Sequence, residues 1–375
     1  MLAAALIASV MSAAPEAAAA PIEVLIGTYT DGESRGIYRV TLDSKTGALG
    51  EPTLAAEIEN PSFLALSPDG SHVYAVSEAF GGGRADGVTA FALGDDGGLT
   101  KLNAQPSAAD GAKAGACHVS VSPDGEAVFA ANYGGGSVAS YPVREDGSLG
   151  EPATLAQHEG SSVNPRRQEA PHAHCVTPAP GGGFVLCADL GLDQILVYQV
   201  DPQTAALTQH SVTDTPPGGG PRHVAFTPDG RFAYCCLEMG NAVVALAWDG
   251  DAGTLTPLQT LPTLPEDFDG NSSTAEVRVH PNGKFVYVTN RGHDSAAVYA
   301  IGEDGQLTLV EIEPLAVDTP RGMNLTPDGR FLLACGQASD DLVSFRVNLE
   351  TGALAPTGSR VNVPKAVDVL PLPAN

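Results

Sequence analysis

The stretch HVSVSPDGEAVFAAN, residues 118–132, decides the fold. Apolar and polar residues alternate on both sides of Pro-Asp-Gly, which is the pattern of two antiparallel strands joined by a tight turn. In such a turn proline presets φ, aspartate bonds the local backbone and glycine accepts a positive φ. The same phrase recurs as FLALSPDGSHVYAVSE, HVAFTPDGRFAYCCLE, VRVHPNGKFVYVTN and MNLTPDGRFLLACG. The prolines predicted to anchor these turns are Pro68, Pro123, Pro178, Pro228, Pro281, Pro327 and, in degenerate form, Pro371.

A second phrase interleaves with the first: an apolar alternating run, a polar turn, a small residue and leucine. Its closing leucines lie 47–58 residues apart, at Leu49, Leu99, Leu149, Leu207, Leu255, Leu307 and Leu354. Seven units of four short strands with almost no helical periodicity predict an all-β, seven-bladed β-propeller with antiparallel blades. A two-sheet sandwich is the alternative, and seven regular copies disfavour it.

The two chain ends are predicted to build one blade together. PKAVDVL near the C-terminus reads as an innermost strand, and VLIGTYT and GIYRVTL near the N-terminus read as the next two. Such a blade leaves no open seam between the first and the last unit. A closed propeller has little need of a partner subunit, so a monomer is predicted.

Composition narrows the possible partners. The 375 residues are 43% hydrophobic, enough for a large core, and 44 Asp+Glu against 19 Lys+Arg give a net charge of −25. Binding to nucleic acid or to an anionic membrane relies on clustered Lys and Arg. We therefore expect no nucleic-acid partner and no membrane insertion once a signal is removed. In so acidic a chain, any group of converging arginines is informative.

The first twenty residues, MLAAALIASVMSAAPEAAAA, are small and apolar and predict a secretory signal peptide, leaving a single domain over residues 21–375. The protein is therefore expected in the periplasm or outside the cell. The cytoplasm is the alternative, because no Lys or Arg precedes Arg35. The six cysteines lie in apolar runs and are expected to be buried free thiols, although a Cys175–Cys187 bridge stays open in an exported protein.

Aligned on the anchoring prolines, the repeats show three columns of equivalent residues that indicate functional positions. Six residues before them the column is mixed and polar: Ser62, Cys117, His172, Arg222, Ala275, Arg321 and Lys365. Four residues before them the column is apolar except for His174. Ten residues after them a third column reads Glu78, Tyr133, Asp189 (with one extra residue allowed in the turn), Glu238, Arg291 and Gln337. The two polar columns are predicted to line one end of the channel, with His172 facing a ligand and His174 behind it.

Four segments carry a family resemblance: PHAHCV at 171–176, GPRHVAFTPDGRFAYCCLE at 220–238, NRGHDS at 290–295 and PRGMNLTPDGRFLLACGQ at 320–337. With IGTYT and RQEAPHAH, they resemble the seven-bladed-propeller lactonases, which include 6-phosphogluconolactonase-like proteins and carboxymuconate cyclases. The resemblance covers residues 22–372. It implies an active site without a metal, whose catalytic positions fall on His172, Arg222, Glu238 and Arg291, with His174 as the alternative histidine.

The expected activity is metal-independent hydrolysis of a sugar-derived lactone, such as 6-phosphogluconolactone or gluconolactone. Glu238 or His172 would act as general base, and arginines would stabilise the oxyanion and hold an anionic group. Two alternatives stay open: a carboxymuconate-type cyclase and a non-catalytic periplasmic binding propeller. The sequence has no P-loop, no GxGxxG that follows a strand and opens a helix, no HExxH and no GxSxG nucleophile elbow, so no cofactor and no metal are predicted. The predicted substrate-binding residues are His174, Arg321, Asn132, Tyr133, Glu78, Gln337 and Arg167.

Overall fold

A computed structural model describes residues 21–78, 87–94, 97–109 and 111–373, so the predicted signal segment lies outside the described residues. The helices and strands assigned within these ranges are all β-strands, with no helix among them. The strands of the first three blades are β1 (Ile22–Thr28), β2 (Gly36–Leu42), β3 (Thr53–Glu57), β4 (Leu64–Leu66), β5 (His72–Ser77), β6 (Gly87–Leu93), β7 (Leu99–Gln105), β8 (Ala116–Val121), β9 (Ala127–Asn132), β10 (Ser137–Pro142) and β11 (Thr154–Gln157).

The remaining four blades continue the same pattern. Their strands are β12 (Ala173–Pro178), β13 (Phe184–Asp189), β14 (Gln194–Val200), β15 (Leu207–Asp214), β16 (Pro221–Phe226), β17 (Phe232–Leu237), β18 (Ala242–Asp249), β19 (Thr254–Pro262), β20 (Ser273–Val279), β21 (Phe285–Arg291), β22 (Ser295–Ile301), β23 (Leu307–Pro314), β24 (Pro320–Leu325), β25 (Phe331–Gly336), β26 (Asp341–Val347) and β27 (Leu354–Asn362). The last strand, β28 (Ala366–Pro371), completes the first blade. The described ranges contain no helix that is long and apolar enough to cross a membrane.

The strands form seven four-stranded antiparallel sheets, and the predicted propeller is confirmed. The first blade has the order β28-β1-β2-β3, with Ile26 paired to Val369, so both chain ends build it. Each innermost strand contacts its two neighbours, in the order β28, β4, β8, β12, β16, β20, β24 and back to β28. The ring is therefore closed around a central channel, and no seam is left between the first and the last blade.

Apolar side chains fill the spaces between neighbouring blades. One such cluster joins the fourth and fifth blades through Leu186, Val197, Val244 and Leu246, which are buried. All six cysteines are buried free thiols, as predicted, and the Cys175–Cys187 bridge is not formed. This packing makes the channel wall rigid, so side chains at the strand ends are held by the blades.

The Pro-Asp-Gly turns form in the way the sequence predicts. In the third blade, Asp124 Oδ1 accepts hydrogen bonds from Ser122 Oγ (2.5 Å) and from Glu126 N (3.1 Å). Gly125 has a φ of 80°, the left-handed conformation that glycine adopts without strain. The turn therefore fixes the register of its hairpin, and with it the strand residues that reach the channel.

Two anchoring prolines were assigned wrongly. In the fourth blade, Gly182 N donates to Ala179 O (3.1 Å), which corresponds to the bond from Gly125 N to Ser122 O in the third blade. The turn proline is therefore Pro180, because Pro178 is the last residue of β12. In the blade built by both ends, β28 likewise includes the assigned proline, Pro371. Pro373 is the equivalent proline, since it lies beside Gly70 as Pro180 lies beside Gly230, although no hairpin joins β28 to β1. Prolines two residues apart fit the same alternation, so the pattern could not choose between them.

Six of the seven blades have a β-bulge at the innermost strand that the alternation pattern does not show, and β4 pairs with β5 without one. The pairing register shifts between Ala116 and His118, between Ala173 and Cys175, and between Pro221 and Val224. It shifts likewise in β20, in β24 and between β1 and β28. A bulge leaves its extra residue unpaired and turns side chains out of strict alternation. As a result, consecutive residues of one strand can both face the channel.

Candidate active site

One end of the channel opens into a cavity of about 620 Å³. We call this end the arginine mouth, and its lining residues are Tyr29, Asp31, Glu78, Gly115, Tyr133, Gly134, Arg167, His174, Glu238, Arg291, Arg321 and Gln337. Eight of the predicted site residues are in this lining, and seven of them are Glu78, Tyr133, Arg167, His174, Glu238, Arg291 and Gln337. Arg321 joins them, and Arg222 lies directly beneath, bonded to Glu238.

The corrected prolines explain this lining. Ten residues after them the column reads Glu78, Tyr133, Leu190, Glu238, Arg291 and Gln337, and strand pairing makes Tyr29 their equivalent in the blade built by both ends. All of these except Leu190 line the cavity. Sequence reasoning missed Tyr29. Tyr29 is the equivalent of Tyr133 in the first blade. Its backbone N donates to Lys365 O, and the backbone N of Tyr133 donates in the same way to Gly115 O, both at 3.0 Å. No count along the chain reaches Tyr29, because no turn joins β28 to β1, and the pairing of Val24 with Pro371 is what places it.

Glu238 is the centre of the best-connected cluster in this mouth. Its Oε1 accepts a hydrogen bond from Arg167 Nη2 at 2.6 Å. Its Oε2 lies 3.1 Å from Arg222 Nε and 3.0 Å from Arg291 Nη2. We call Glu238, Arg167, Arg222, Arg291 and His174 the glutamate cluster. Glu238 is 6% exposed, so one buried carboxylate gathers three guanidinium groups.

The charges of the cluster fix the protonation states of its members. Burial by itself would raise the pKa of Glu238, but Arg291, Arg222 and Arg167 hold that pKa well below its usual value. Burial, and then the positive charge of Arg222, lower the pKa of His174 well below its usual range. Glu238 is therefore a carboxylate and His174 a neutral imidazole near pH 7, with His174 Nε2 3.7 Å from Glu238 Oε2.

The structure reverses the predicted places of the two histidines. His174 occupies the bulge of β12 and lines the cavity, whereas His172 precedes the strand. His172 Nδ1 lies 2.9 Å from Tyr133 O, and its ring stacks on the Tyr133 ring with centroids 4.6 Å apart. The prediction that His172 faces the ligand came from the wrong anchor, Pro178. Counting six residues back from Pro180 gives His174.

Asn132 and Asp189 are also placed outside the cavity lining. Asn132 Nδ2 donates to Ser107 O (2.7 Å) and to Ser137 Oγ (3.0 Å), and the residue is fully buried. Asp189 takes the equivalent position in the fourth blade, where it lies 2.6 Å from His158 Nδ1 and accepts a bond from His172 N. Both side chains hold loops at this end of the channel. The predicted substrate contact of Asn132 is thus corrected, because its position lies one residue before the column that faces the cavity.

Arg167 reaches the cluster from a loop and not from a strand. It lies on the segment 158–172 between β11 and β12, and its Nη2 also donates to Tyr133 OH at 3.0 Å. Its side chain is 44% exposed, against 2% for Arg222. The cluster therefore has a buried floor and one cation at the surface.

The opposite wall of the cavity is formed by Tyr29, Glu78 and Arg321, which belong to the neighbouring first, second and seventh blades. Tyr29 OH donates to Glu78 Oε2 at 2.8 Å, and the Arg321 guanidinium lies 5.4 Å from the centre of the Tyr29 ring. Within the described part of the chain, Arg321 has no hydrogen-bond acceptor and no ion-pair partner. It is a cation left available to a ligand.

The other end of the channel has a smaller cavity, of about 200 Å³. We call it the histidine mouth and define it by His118, His223, Glu276, Arg278 and Asp368. His223 Nδ1 lies 3.0 Å from Glu276 Oε1, and Arg278 Nη2 lies 3.2 Å from Glu276 Oε2. The bulges of β8 and β16 turn His118 and His223 into the channel.

No group of three or more His, Cys, Asp or Glu side chains in the described ranges is arranged to hold a metal ion. Fold and site together define a seven-bladed propeller with a cationic pocket at one end of its axis. The sequence model of the family "Lactonase, 7-bladed beta-propeller" matches residues 23–371, and the chain belongs to this family.

Similar proteins agree with this assignment. A Bacillus subtilis protein named 6-phosphogluconolactonase is 39% identical over 346 residues, 92% of this chain and 96% of its own. The structure of a periplasmic gluconolactonase from Pseudomonas aeruginosa matches with a TM-score of 0.88 and 34% identity, over 95% of this chain and all of that one. A Lactobacillus plantarum protein matches with a TM-score of 0.85 and 31% identity, over 94% of this chain. The family and these relatives support a lactone hydrolase.

Proposed function

We propose that this protein hydrolyses the lactone of a sugar acid, of the gluconolactone or 6-phosphogluconolactone type, at the arginine mouth. The observation that carries the proposal is Arg321, which lines a cavity of about 620 Å³ and whose guanidinium has no hydrogen-bond or ion-pair partner in the described structure. A cavity of this size suits a small ring. In a chain of net charge −25, a cation kept free inside such a cavity favours an anionic ligand or an oxyanion.

Lactone hydrolysis places specific demands on the site. A water oxygen bonds to the carbonyl carbon, negative charge develops on the carbonyl oxygen, and the bond from that carbon to the ring oxygen breaks. The ring oxygen then takes a proton, and the product is an open-chain hydroxy acid. A fixed guanidinium beside the carbonyl oxygen stabilises the developing charge, and removing one such donor typically costs ~10²–10³ in kcat. We assign this contact to Arg321.

Glu238 takes a different part from the one the sequence predicted. Protonating it would leave three arginines at its oxygens without a counter-charge. The general-base function predicted for Glu238 is therefore disfavoured. In the proposed site Glu238 holds Arg167, Arg222 and Arg291 in place, and the neutral His174 contributes a hydrogen-bonding ring to the floor of the cavity.

The test is hydrolysis by the purified chain of δ-gluconolactone and of 6-phosphogluconolactone, followed with a pH indicator and corrected for spontaneous opening. We expect saturable turnover, proportional to protein concentration and unchanged by EDTA. The ratio of kcat/KM for the two lactones measures the preference for a phosphate group. Rates equal to spontaneous hydrolysis with both lactones would overturn the proposal, and lactone binding without turnover in calorimetry would identify a binding propeller instead.

A further inference from the structure

The arginine mouth contains several groups that could accept a proton from water, and their surroundings differ. Both oxygens of Glu238 are taken by arginines. His174 lies among Arg222, Arg321 and His223, and its protonation would add a buried positive charge to that group. The phenols of Tyr29 and Tyr133 have pKa values raised by burial, so they stay protonated. None of these four groups is suited to take a proton from water near neutral pH.

Glu78 differs from all of them. It follows β5 and is 8% exposed, and it lines the same cavity. One oxygen, Oε2, accepts the Tyr29 hydroxyl hydrogen at 2.8 Å. The other oxygen, Oε1, has no hydrogen-bond or ion-pair partner in the described structure. The carboxylate is thus held by one oxygen and leaves the other available, which is the arrangement of a general base oriented by a second group.

The neighbours of Glu78 complete this arrangement. The charged and titratable groups that face it are Tyr29 at the end of β1, Cys117 in β8 and Arg321 in β24. Tyr29 and Arg321 contact each other through the ring and the guanidinium. The free cation and the free carboxylate oxygen therefore occupy one wall, across the cavity from the glutamate cluster. A lactone whose carbonyl oxygen rests on Arg321 presents its carbonyl carbon to a water near Glu78.

We propose, on the basis of the proposed lactonase function, that Glu78 is the general base and that Tyr29 positions it. Glu78 Oε1 takes one proton from water as the water oxygen bonds to the carbonyl carbon. The tetrahedral intermediate collapses, the bond from the carbonyl carbon to the ring oxygen breaks, and the ring oxygen receives that proton from Glu78. Protons balance over the cycle, and no oxidant, reductant or metal takes part.

The experiment compares Glu78→Gln with the unsubstituted chain on whichever lactone is turned over. Glutamine keeps the size of the side chain and its contact with Tyr29 but cannot take the proton. We expect kcat to fall ~10²–10⁴-fold, the usual contribution of a general base, with KM within about threefold. The acid limb of the kcat/KM profile should disappear, whereas Tyr29→Phe should keep that limb but displace it and lower kcat about tenfold. Formate added to Glu78→Ala should restore part of the rate.

The matched control is Asp368→Asn, which removes a buried carboxylate at the histidine mouth and should keep kcat. Circular dichroism and Tm confirm that each variant is folded. If the unsubstituted chain turns over a lactone and Glu78→Gln keeps kcat within threefold or keeps the acid limb, the assignment of Glu78 is wrong and the lactonase function stands. If the unsubstituted chain turns over neither lactone, both proposals fall.

Discussion

The two mouths of the channel are built by the same innermost strands, and their charges differ. At the arginine mouth Glu238 meets three guanidinium groups, and Arg321 is left free. At the histidine mouth Glu276 meets one guanidinium, that of Arg278, and one imidazole. One end thus has cations in excess. The other has a carboxyl group in excess, because Asp368 lies there without an ion-pair partner in the described residues.

The difference shows that the repeated backbone determines where side chains meet the channel, whereas the residue type at each position determines the local charge. Six of the seven blades have a bulge at the innermost strand, and six of the seven place a strand-end residue in the lining of the arginine mouth. The side chain at that position decides whether the local field attracts anions. In this chain four arginines occur around one mouth, although the whole molecule is strongly acidic. This charge distribution supports the proposal that an anionic transition state is stabilised at the arginine mouth.

The largest expected effect concerns the stability that Glu238 provides as the counter-charge of three arginines. Glu238→Gln should lower the free energy of unfolding by about 3–5 kcal/mol, because it leaves buried charges without their partner. Glu276→Gln, the matched change at the histidine mouth, should cost less, since it frees a single and partly exposed guanidinium. Urea unfolding of both variants measures the two losses. Equal losses would contradict the claim that the mouths differ in charge excess.

Arg321 and Arg278 provide a comparison of kinetics. Arg321→Met should lower kcat/KM for the lactone ~10²–10³-fold, since it removes a cation proposed to contact the developing oxyanion. Arg278→Met, at the histidine mouth, should leave kcat/KM within about twofold. Steady-state assays of both variants at one pH measure the contrast. A comparable loss of kcat/KM in the two variants would indicate that positive charge anywhere along the channel acts at a distance. The proposed contact of Arg321 with the oxyanion would then be refuted.

The pH dependence of stability should have opposite signs at the two mouths. Burial raises the pKa of Asp368 to about 7, an effect that Arg278 partly offsets, from an ordinary value of 3.8. The folded state then binds a proton that the unfolded state releases, so stability falls as pH rises from about 4 to 7, by at most about 1.4 kcal/mol per pH unit. Asp368→Asn should remove this contribution.

Glu238 provides the opposite sign, because its pKa is depressed in the folded state. Its contribution is complete above its ordinary pKa of 4.5 and is lost as pH falls below that value. Urea unfolding between pH 3 and 8, for the unsubstituted chain and the two variants, measures both slopes. An unchanged slope in Asp368→Asn between pH 4 and 7 would show that this carboxyl is ionised in the folded protein.

The smallest expected effect concerns His172, the histidine that the sequence pattern predicts to face a ligand. His172→Ala removes a stacking contact with Tyr133 and a hydrogen bond to its carbonyl, so we expect a loss of about 1 kcal/mol in stability. Because the side chain does not line the cavity, kcat should stay within about threefold. Thermal unfolding and a lactone assay check the two expectations. A loss of 10²-fold in kcat would restore His172 to the reaction.

Much of the candidate site could be predicted because hairpins fix register. The turn at Pro228 puts Arg222 and Glu238 at the two ends of one hairpin, and the structure joins them at 3.1 Å. Elsewhere the pattern was ambiguous. Pro178 and Pro180 fit one alternation equally well, and the wrong choice exchanged His172 for His174. The bulges were missed for a different reason: an extra unpaired residue leaves the apolar alternation on either side intact.

The sequence by itself determined the seven repeats, the hairpin turns, the closing of the ring by both ends and the polar columns, because each follows from local backbone preferences and a period of two. Only the tertiary structure decided which side chains meet. Arg167 comes to Glu238 from a loop 71 residues away in the chain, and Tyr29 reaches Glu78 from the neighbouring blade. Contacts of this kind depend on how blades stack around the axis, and no local pattern records that geometry.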